Sequence, residues 1–203
     1  MRKIGKIMGL CLLIAAMAVV WSAGRQHRDL TDNVIRLHVV ARSDSGEDQA
    51  RKLLVRDAIL ELLAPGIDAV GDIREAEAYI QQNLDEIQRT AEQTLLQAGG
   101  EETVTVSLEE EPFDTRFYDT FRLPAGVYRS LRVTIGPGEG KNWWCVVFPG
   151  LCVPNTEEAF ERTAVDAGMN EALACALAGE EGYEVRFFLL DFLGKLENRL
   201  FGR

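Results

Sequence analysis

Residues Ile7 to Ala23 form an uncharged, mostly apolar run of about 17 residues, preceded by Arg2, Lys3 and Lys6 and closed by Arg25, His27, Arg28 and Asp29. A helix buried in a core has one apolar stripe; this segment is apolar on every face. Its length lies between the apolar region of a signal peptide and a full membrane span. Ala16-Met17-Ala18 places small residues at the two positions a signal peptidase reads, whereas Trp21 disfavours cleavage after Ala23. The segment is therefore read as a signal peptide or a retained anchor. In either case the positive charge ahead of it holds the N-terminus in the cytoplasm and puts the rest of the chain outside.

The rest of the chain is acidic and has the composition of a globular domain. The 203 residues together have a net charge of -10, and because residues 1–24 hold three basic and no acidic residues, the remainder carries -13. Such a surface repels phosphate backbones and anionic headgroups, so nucleic acid is not an expected partner. Hydrophobic residues make up 47% and charged residues 27%, enough apolar material to build a core.

The polar stretch 25–33 reads as a tether. Val34 to Val40 alternates as a strand, with Ile35, Leu37 and Val39 on one side and Arg36 and His38 on the other. Ser43-Asp44-Ser45 breaks it; Ser45 is placed to cap a helix, with Asp48 three residues on. That helix runs to about Leu63 and stops at Pro65-Gly66. Ile73, Ala76, Ile80, Leu84, Ile87, Ala91 and Leu95 mark one long second helix, closed by Gly99-Gly100. Thr103–Glu109, Val127–Ile135 and Trp143–Phe148 read as strands, the last two as a hairpin around Gly136, Pro137, Gly138 and Gly140. Thr156 caps a helix from Glu157 to about Ala178, bracketed by Gly179 and Gly182. Tyr183, Val185 and Phe187 alternate as a last strand, and Leu189–Phe201 has helical spacing. The order predicts an α+β domain, an antiparallel or mixed sheet with helices packed on it and at least one partly open face, behind an N-terminal signal or anchor helix.

Little chemistry is visible. His38 is the only histidine of the domain, no metal-ligand or phosphate-loop motif is present, and no metal or cofactor is expected. The sharpest enzymatic reading is a cell-wall cysteine hydrolase, with Cys145 as nucleophile, His38 as base and Asp44 or Asp57 as orienter. Against it, Cys145 lies inside a strand, and reactive cysteines favour helix N-termini. Cys145 and Cys152 flank Pro149-Gly150 and are either a disulfide or two buried thiols. In Asn142-Trp143-Trp144, adjacent tryptophans point to opposite faces. Either one of them is left for a partner or both are covered within the domain.

Several stretches together resemble the stage II sporulation protein R family: Ile35-Arg-Leu-His-Val-Val-Ala-Arg-Ser-Asp-Ser-Gly-Glu-Asp-Gln49, Arg56-Asp57, Leu123-Pro-Ala-Gly-Val-Tyr128, and Asn142-Trp-Trp-Cys-Val-Val-Phe-Pro149 followed by Leu151-Cys152. Asp114, Asp119 and Gly150 depart from the family's pattern, and His38 stands where the family also accepts Arg. The chain is thus read as a signal or anchor (1–24), a tether (25–33) and a globular domain (34–203), the last of which carries the resemblance. The resemblance implies a non-enzymatic protein exported from the forespore into the space between the two surrounding membranes. There it would activate a membrane-embedded aspartic protease of the mother cell, stage II sporulation protein GA, which processes the precursor of sigma factor E. The residues expected to engage that protease are Arg36, Ser43, Asp44, Ser45, Asp48, Asn142 and Trp144. The loop and helix start at 43–48 carry polar identities that packing alone rarely dictates. The alternatives are the hydrolase and an exported scaffold. The local alternative is that Ser45 and Asp48 only cap the helix and that a buried Arg36 only pairs with Asp57.

Overall fold

The computed structural model describes residues 2–150, 152, 157–179 and 184–201. The first helix, α1, runs without interruption over Arg2–Asp32. Ile7, Leu10, Leu13, Met17, Val20 and Trp21 along its apolar run are all exposed. Within Lys6–Asp32 an 18-residue window reaches a mean hydropathy of 2.2, so the helix is long and apolar enough to cross a membrane. From Ala23 onward it changes character. Ala23, His27, Leu30 and Thr31 are buried at helical spacing, and the His27 ring is hydrogen-bonded through Nε2 to the Ala125 carbonyl at 3.0 Å. The segment read as a tether is thus helical and packs on the domain.

Beyond α1 the chain alternates strands and helices: β1 (Ile35–Val40), α2 (Gly46–Ile67), α3 (Ile73–Gln82), α4 (Leu84–Gln97), β2 (Val104–Phe113), β3 (Arg116–Phe117), β4 (Arg122–Leu123), β5 (Gly126–Ile135), β6 (Asn142–Phe148), α5 (Glu157–Asp166), α6 (Glu171–Ala178) and α7 (Glu184–Phe201). The main sheet is mixed, in the order β2-β5-β1-β6, and β3 pairs with β4 beside it. The fold is α+β, as the element pattern predicts.

The helices differ from expectation in their ends. Ser45 caps α2, accepting from the Asp48 N–H at 3.1 Å. Yet α2 continues through Pro65 to Ile67. One missing hydrogen bond in the last turn is outweighed by burying Leu63 and Ile67 in the same stripe. The long second helix is two, broken at Asn83, whose side-chain amide donates to the Tyr79 carbonyl at 2.7 Å. The buried stripe nonetheless continues from Ala76 and Ile80 to Ile87, Ala91 and Leu95. The helix expected over 157–178 is broken at Gly168, with φ of 92°. The expected Thr156 cap lies outside the described residues. Of the expected last strand, Tyr183 lies outside the described residues, and Val185 and Phe187 belong to α7. Burial of Phe187, Leu190, Asp191 and Gly194 follows helical spacing, and that period prevails over the short alternation.

The largest correction concerns the hairpin. β5 and β6 do not pair: β1 lies between them, parallel to β5 and antiparallel to β6. Residues 136–141 therefore bridge two interstrand spacings, about 10 Å, passing over the end of β1. The Gly140 N–H donates to Ala41 O at 2.9 Å and the Glu139 N–H to Arg42 O at 3.3 Å. The bridge needs a glycine, because a Cβ on Gly140 would stand 2.3 Å from the Ser43 carbonyl oxygen.

One face of the sheet, with Ile35, Leu37, Val39, Leu131, Val133, Cys145 and Val147, is closed by α2, α3 and α4. The other is closed over part of its length. Val34, Tyr128, Val146 and Phe113 are buried against Leu30, Phe160, Leu173, Leu177 and Leu190. Further along the same face, Thr105, Glu109 and Asn142 are exposed and Ser107, Arg132 and Thr134 half-buried. The half-covered face leaves room for a surface site.

Cys145 and Cys152 are bridged in the structure, Cα atoms 5.3 Å apart and seven residues apart in sequence. We expect two reactive thiols per full-length chain, those of Cys11 and Cys175, when the oxidised protein is denatured without reductant. Replacing both bridged residues by serine should cost about 2.5 kcal/mol by the chain-entropy account of so short a loop, read as a shift in the urea midpoint.

Candidate functional site

The residues singled out in the sequence fall into three places. Arg36 is interior, with no exposed surface. Its Nη2 donates to the Tyr118 hydroxyl at 2.9 Å. The guanidinium lies 3.9 Å from the centre of the Phe113 ring and 5.0 Å from that of Tyr128. Asp57 is not its partner, for Asp57 pairs with Arg56 at 2.6 Å. Among the described residues Nε and Nη1 of Arg36 have no hydrogen-bond partner. The charge is held by aromatic faces in place of a carboxylate. Arg36 so placed orders Phe113 and Tyr118 and touches no surface.

Ser43, Ser45 and Asp48 form a closed knot at the exit of β1. The Ser43 hydroxyl donates to Asp48 Oδ2 at 2.5 Å and the Gln49 amide to the Ser43 carbonyl at 2.8 Å. The Ser43 hydrogen bond leads in holding the Asp48 carboxyl below its usual range; burial opposes it, and Ser45, Arg42 and Arg51 assist. Asp44 is exposed and ties the knot to the bridge, accepting from the Lys141 N–H at 2.7 Å. Lys52, lowered in pKa mainly by burial, donates to the Lys141 carbonyl at 2.9 Å.

The third place is the open half-face. Register sets Trp144, His38, Arg132 and Ser107 in one row across all four strands. His38 Nε2 meets Asn142 Oδ1 at 2.9 Å, and Nδ1 meets the Glu111 carboxylate at 3.1 Å. Arg132 donates to the same carboxylate at 2.6 Å. Burial works to raise the Glu111 carboxyl, but the His38 hydrogen bond and the charges of His38 and Arg132 outweigh it and hold it at about 2. His38 stacks on Trp144 at 5.7 Å between ring centres, and the Arg116 guanidinium covers the indole at 3.6 Å. Trp143 points to the opposite side, 37% exposed, with Arg56 against it at 4.3 Å.

This arrangement removes the cysteine dyad. Cys145 pairs with Leu37 and shares its face, whereas His38 points to the other. The thiol is bridged to Cys152, and neither Asp44 nor Asp57 is among the hydrogen-bond partners of His38. Among the described residues no group of three or more His, Cys, Asp or Glu side chains gathers where a metal ion would sit.

Glu111, Arg116, Tyr118 and Arg132 belong to the site but are not singled out by the sequence patterns. A strand ending at Glu109 omits Glu111, yet the alternation Ser107, Glu109, Glu111, Phe113 continues β2 and places Glu111 on the face of His38. Arg116 and Tyr118 carry no such period.

Comparison with known proteins bears on this same stretch. The family model for stage II sporulation protein R matches residues 31–158. The chain belongs to the stage II sporulation protein R family. The stage II sporulation protein R of Bacillus subtilis (strain 168) is 32% identical over 185 residues, which cover 82% of this chain and 83% of that relative. No solved structure matches. The family match spans β1 to β6 and so takes in the knot, the bridge and the half-face; α6 and α7 lie beyond it.

Proposed function

We propose that this chain is the exported ligand of a sporulation signalling relay. It would act outside the forespore by binding the mother cell's membrane-embedded aspartic protease, stage II sporulation protein GA, and so switch on processing of the sigma factor E precursor. Membership of the family is the observation that carries the reading. The apolar α1 ahead of an acidic domain agrees with an exported or membrane-anchored protein. A ligand activates only if it binds the active protease state more tightly than the inactive one. The surface suited to that contact is the open half-face with its edge: Asp44, Asn142 and Trp144, with Arg116 over the indole. Tryptophan and arginine are the residues most often found at the energetic centre of interfaces.

Co-expression of the chain, the protease and the sigma precursor in a non-sporulating host tests the reading. Processing should need all three. Ser45→Ala should lower stability by about 1 kcal/mol through loss of a cap and leave processing intact when the chain is in excess. Asn142→Ala and Trp144→Ala proteins that remain folded should fail to activate. A chain that binds the protease without changing processing is a scaffold, and processing without the chain would remove the proposal.

A further inference from the structure

Helix α7 presents two faces. Phe187, Leu190, Asp191 and Gly194 are buried against the domain. Gly194 lets the helix sit so close that a Cβ there would overlap the Ala125 carbonyl. The opposite face carries Val185, Phe188, Phe192, Leu196 and Leu200, exposed by 71, 66, 56, 45 and 66%. Their spacing of three and four residues lines them up in one apolar stripe, which a soluble domain has no reason to leave uncovered.

The position of α7 against α1 says what covers it. Val185, Arg186 and Leu189 line one groove with Ala18, Val19, Ser22, Ala23 and Gln26. Nine residues further along each helix, Gly194 lies against His27, and Glu197 comes within 3.9 Å of the same ring. The two helices therefore run side by side in the same direction, and the first turns of α7 lie level with residues 18–22 of α1. That level is inside the apolar run Ile7–Ala23 and beside Trp21, which is 66% exposed; tryptophan favours the membrane–water boundary. A bilayer crossed by α1 must then meet the start of α7.

We infer that Val185, Phe188 and Phe192 enter the outer-leaflet interface of the membrane that α1 spans, so that α1 and α7 together fix the tilt and height of the domain over the bilayer. Leu196 and Leu200, each turn adding about 5.4 Å, stand progressively further from it. The contact is apolar, since the domain's net negative charge gives anionic lipid no attraction. The inference rests on retention of α1 and is independent of the protease reading.

The test uses the full chain, with Cys11→Ser and Cys175→Ser, reconstituted in phosphatidylcholine–phosphatidylglycerol vesicles. A nitroxide is attached after Val185→Cys, Phe188→Cys, Phe192→Cys or Leu200→Cys. Phe117→Cys, 74% exposed on β3, is the reference. The ratio of oxygen to nickel-chelate collision should be several-fold above the reference at 185 and 188, intermediate at 192, and equal to it at 200. Labels at 185 and 188 as open to nickel as the reference would overturn the inference. Dipolar broadening at 188 that vanishes on dilution with unlabelled chain would assign the stripe to a second copy, and overturns it too. A chain that fails to float with the vesicles shows that α1 does not anchor it; that outcome also ends the inference and leaves the co-expression result untouched.

Discussion

Glu111→Gln is expected to lower stability at neutral pH by about 3 kcal/mol, because the carboxyl is held near 2 against an ordinary 4.5. The side chain is 11% exposed, so solvent screens it little. A group whose folded pKa is depressed contributes above its unfolded value and loses that contribution as pH falls. The stabilisation from Glu111 is complete above about pH 4.5 and drains away toward pH 2. The substitution also leaves His38 and Arg132 without the carboxylate both engage. Urea midpoints at pH 7 and pH 3 should therefore differ less in the variant than in the natural chain. The remaining slope comes from Asp48, Asp72, Glu102 and Asp191, whose carboxyls are also held below their usual range. Equal stability of the two proteins at pH 7 would mean that the carboxylate is not coupled to His38 and Arg132 as described.

That prediction turns on a residue that the sequence patterns leave out, and the reason is physical. Periodicity reports which side of an element is buried, and it reports well: Ile35, Leu37 and Val39 face the helical layer, and Ala76 to Leu95 make one stripe despite the break at Asn83. Capping chemistry is local, so Ser45 is legible too. Strand order is not local. A glycine-rich link between two strands has the same composition whether it turns back or strides over a third, and what decides is the vacancy that β1 fills between β5 and β6. The candidate site inherits that limit. Asn142 and His38 are 104 residues apart and meet only because β6 pairs with β1. Arg36 is legible only as lying opposite Ile35, Leu37 and Val39; its burial depends on Tyr118 and Phe113, which come from segments with no pattern tying them to β1. The alternation of Val185 and Phe187 is too short to compete with the four-residue spacing that buries α7.

Gly140→Val should be the more damaging change, costing about 4 kcal/mol: the upper range for overpacking together with loss of hydrogen bonds worth about 1 kcal/mol each. The added Cβ falls 2.3 Å from the Ser43 oxygen, 2.6 Å from its carbonyl carbon and 2.9 Å from the Ala41 methyl. Two of these are backbone atoms and cannot rotate aside. Lifting the bridge breaks the bond from the Gly140 N–H to Ala41 O. It also strains the contacts of Lys141 with Asp44 and Lys52. Asn142, next in the chain, then loses its position beside His38. For a domain of this size the melting temperature should fall by about 8 to 16 °C. Because the obstruction is the Cβ itself, Gly140→Ala should show most of the loss, whereas Glu139→Ala, one residue away and exposed, should stay within about 0.5 kcal/mol of the natural chain. Under the proposed function, both Gly140 variants should also activate the protease poorly at temperatures where they remain folded, since the bridge carries Asn142 and Trp144 into place. A Gly140→Ala protein with unchanged melting and unchanged processing would show that the bridge has room to move and that the half-face does not depend on it.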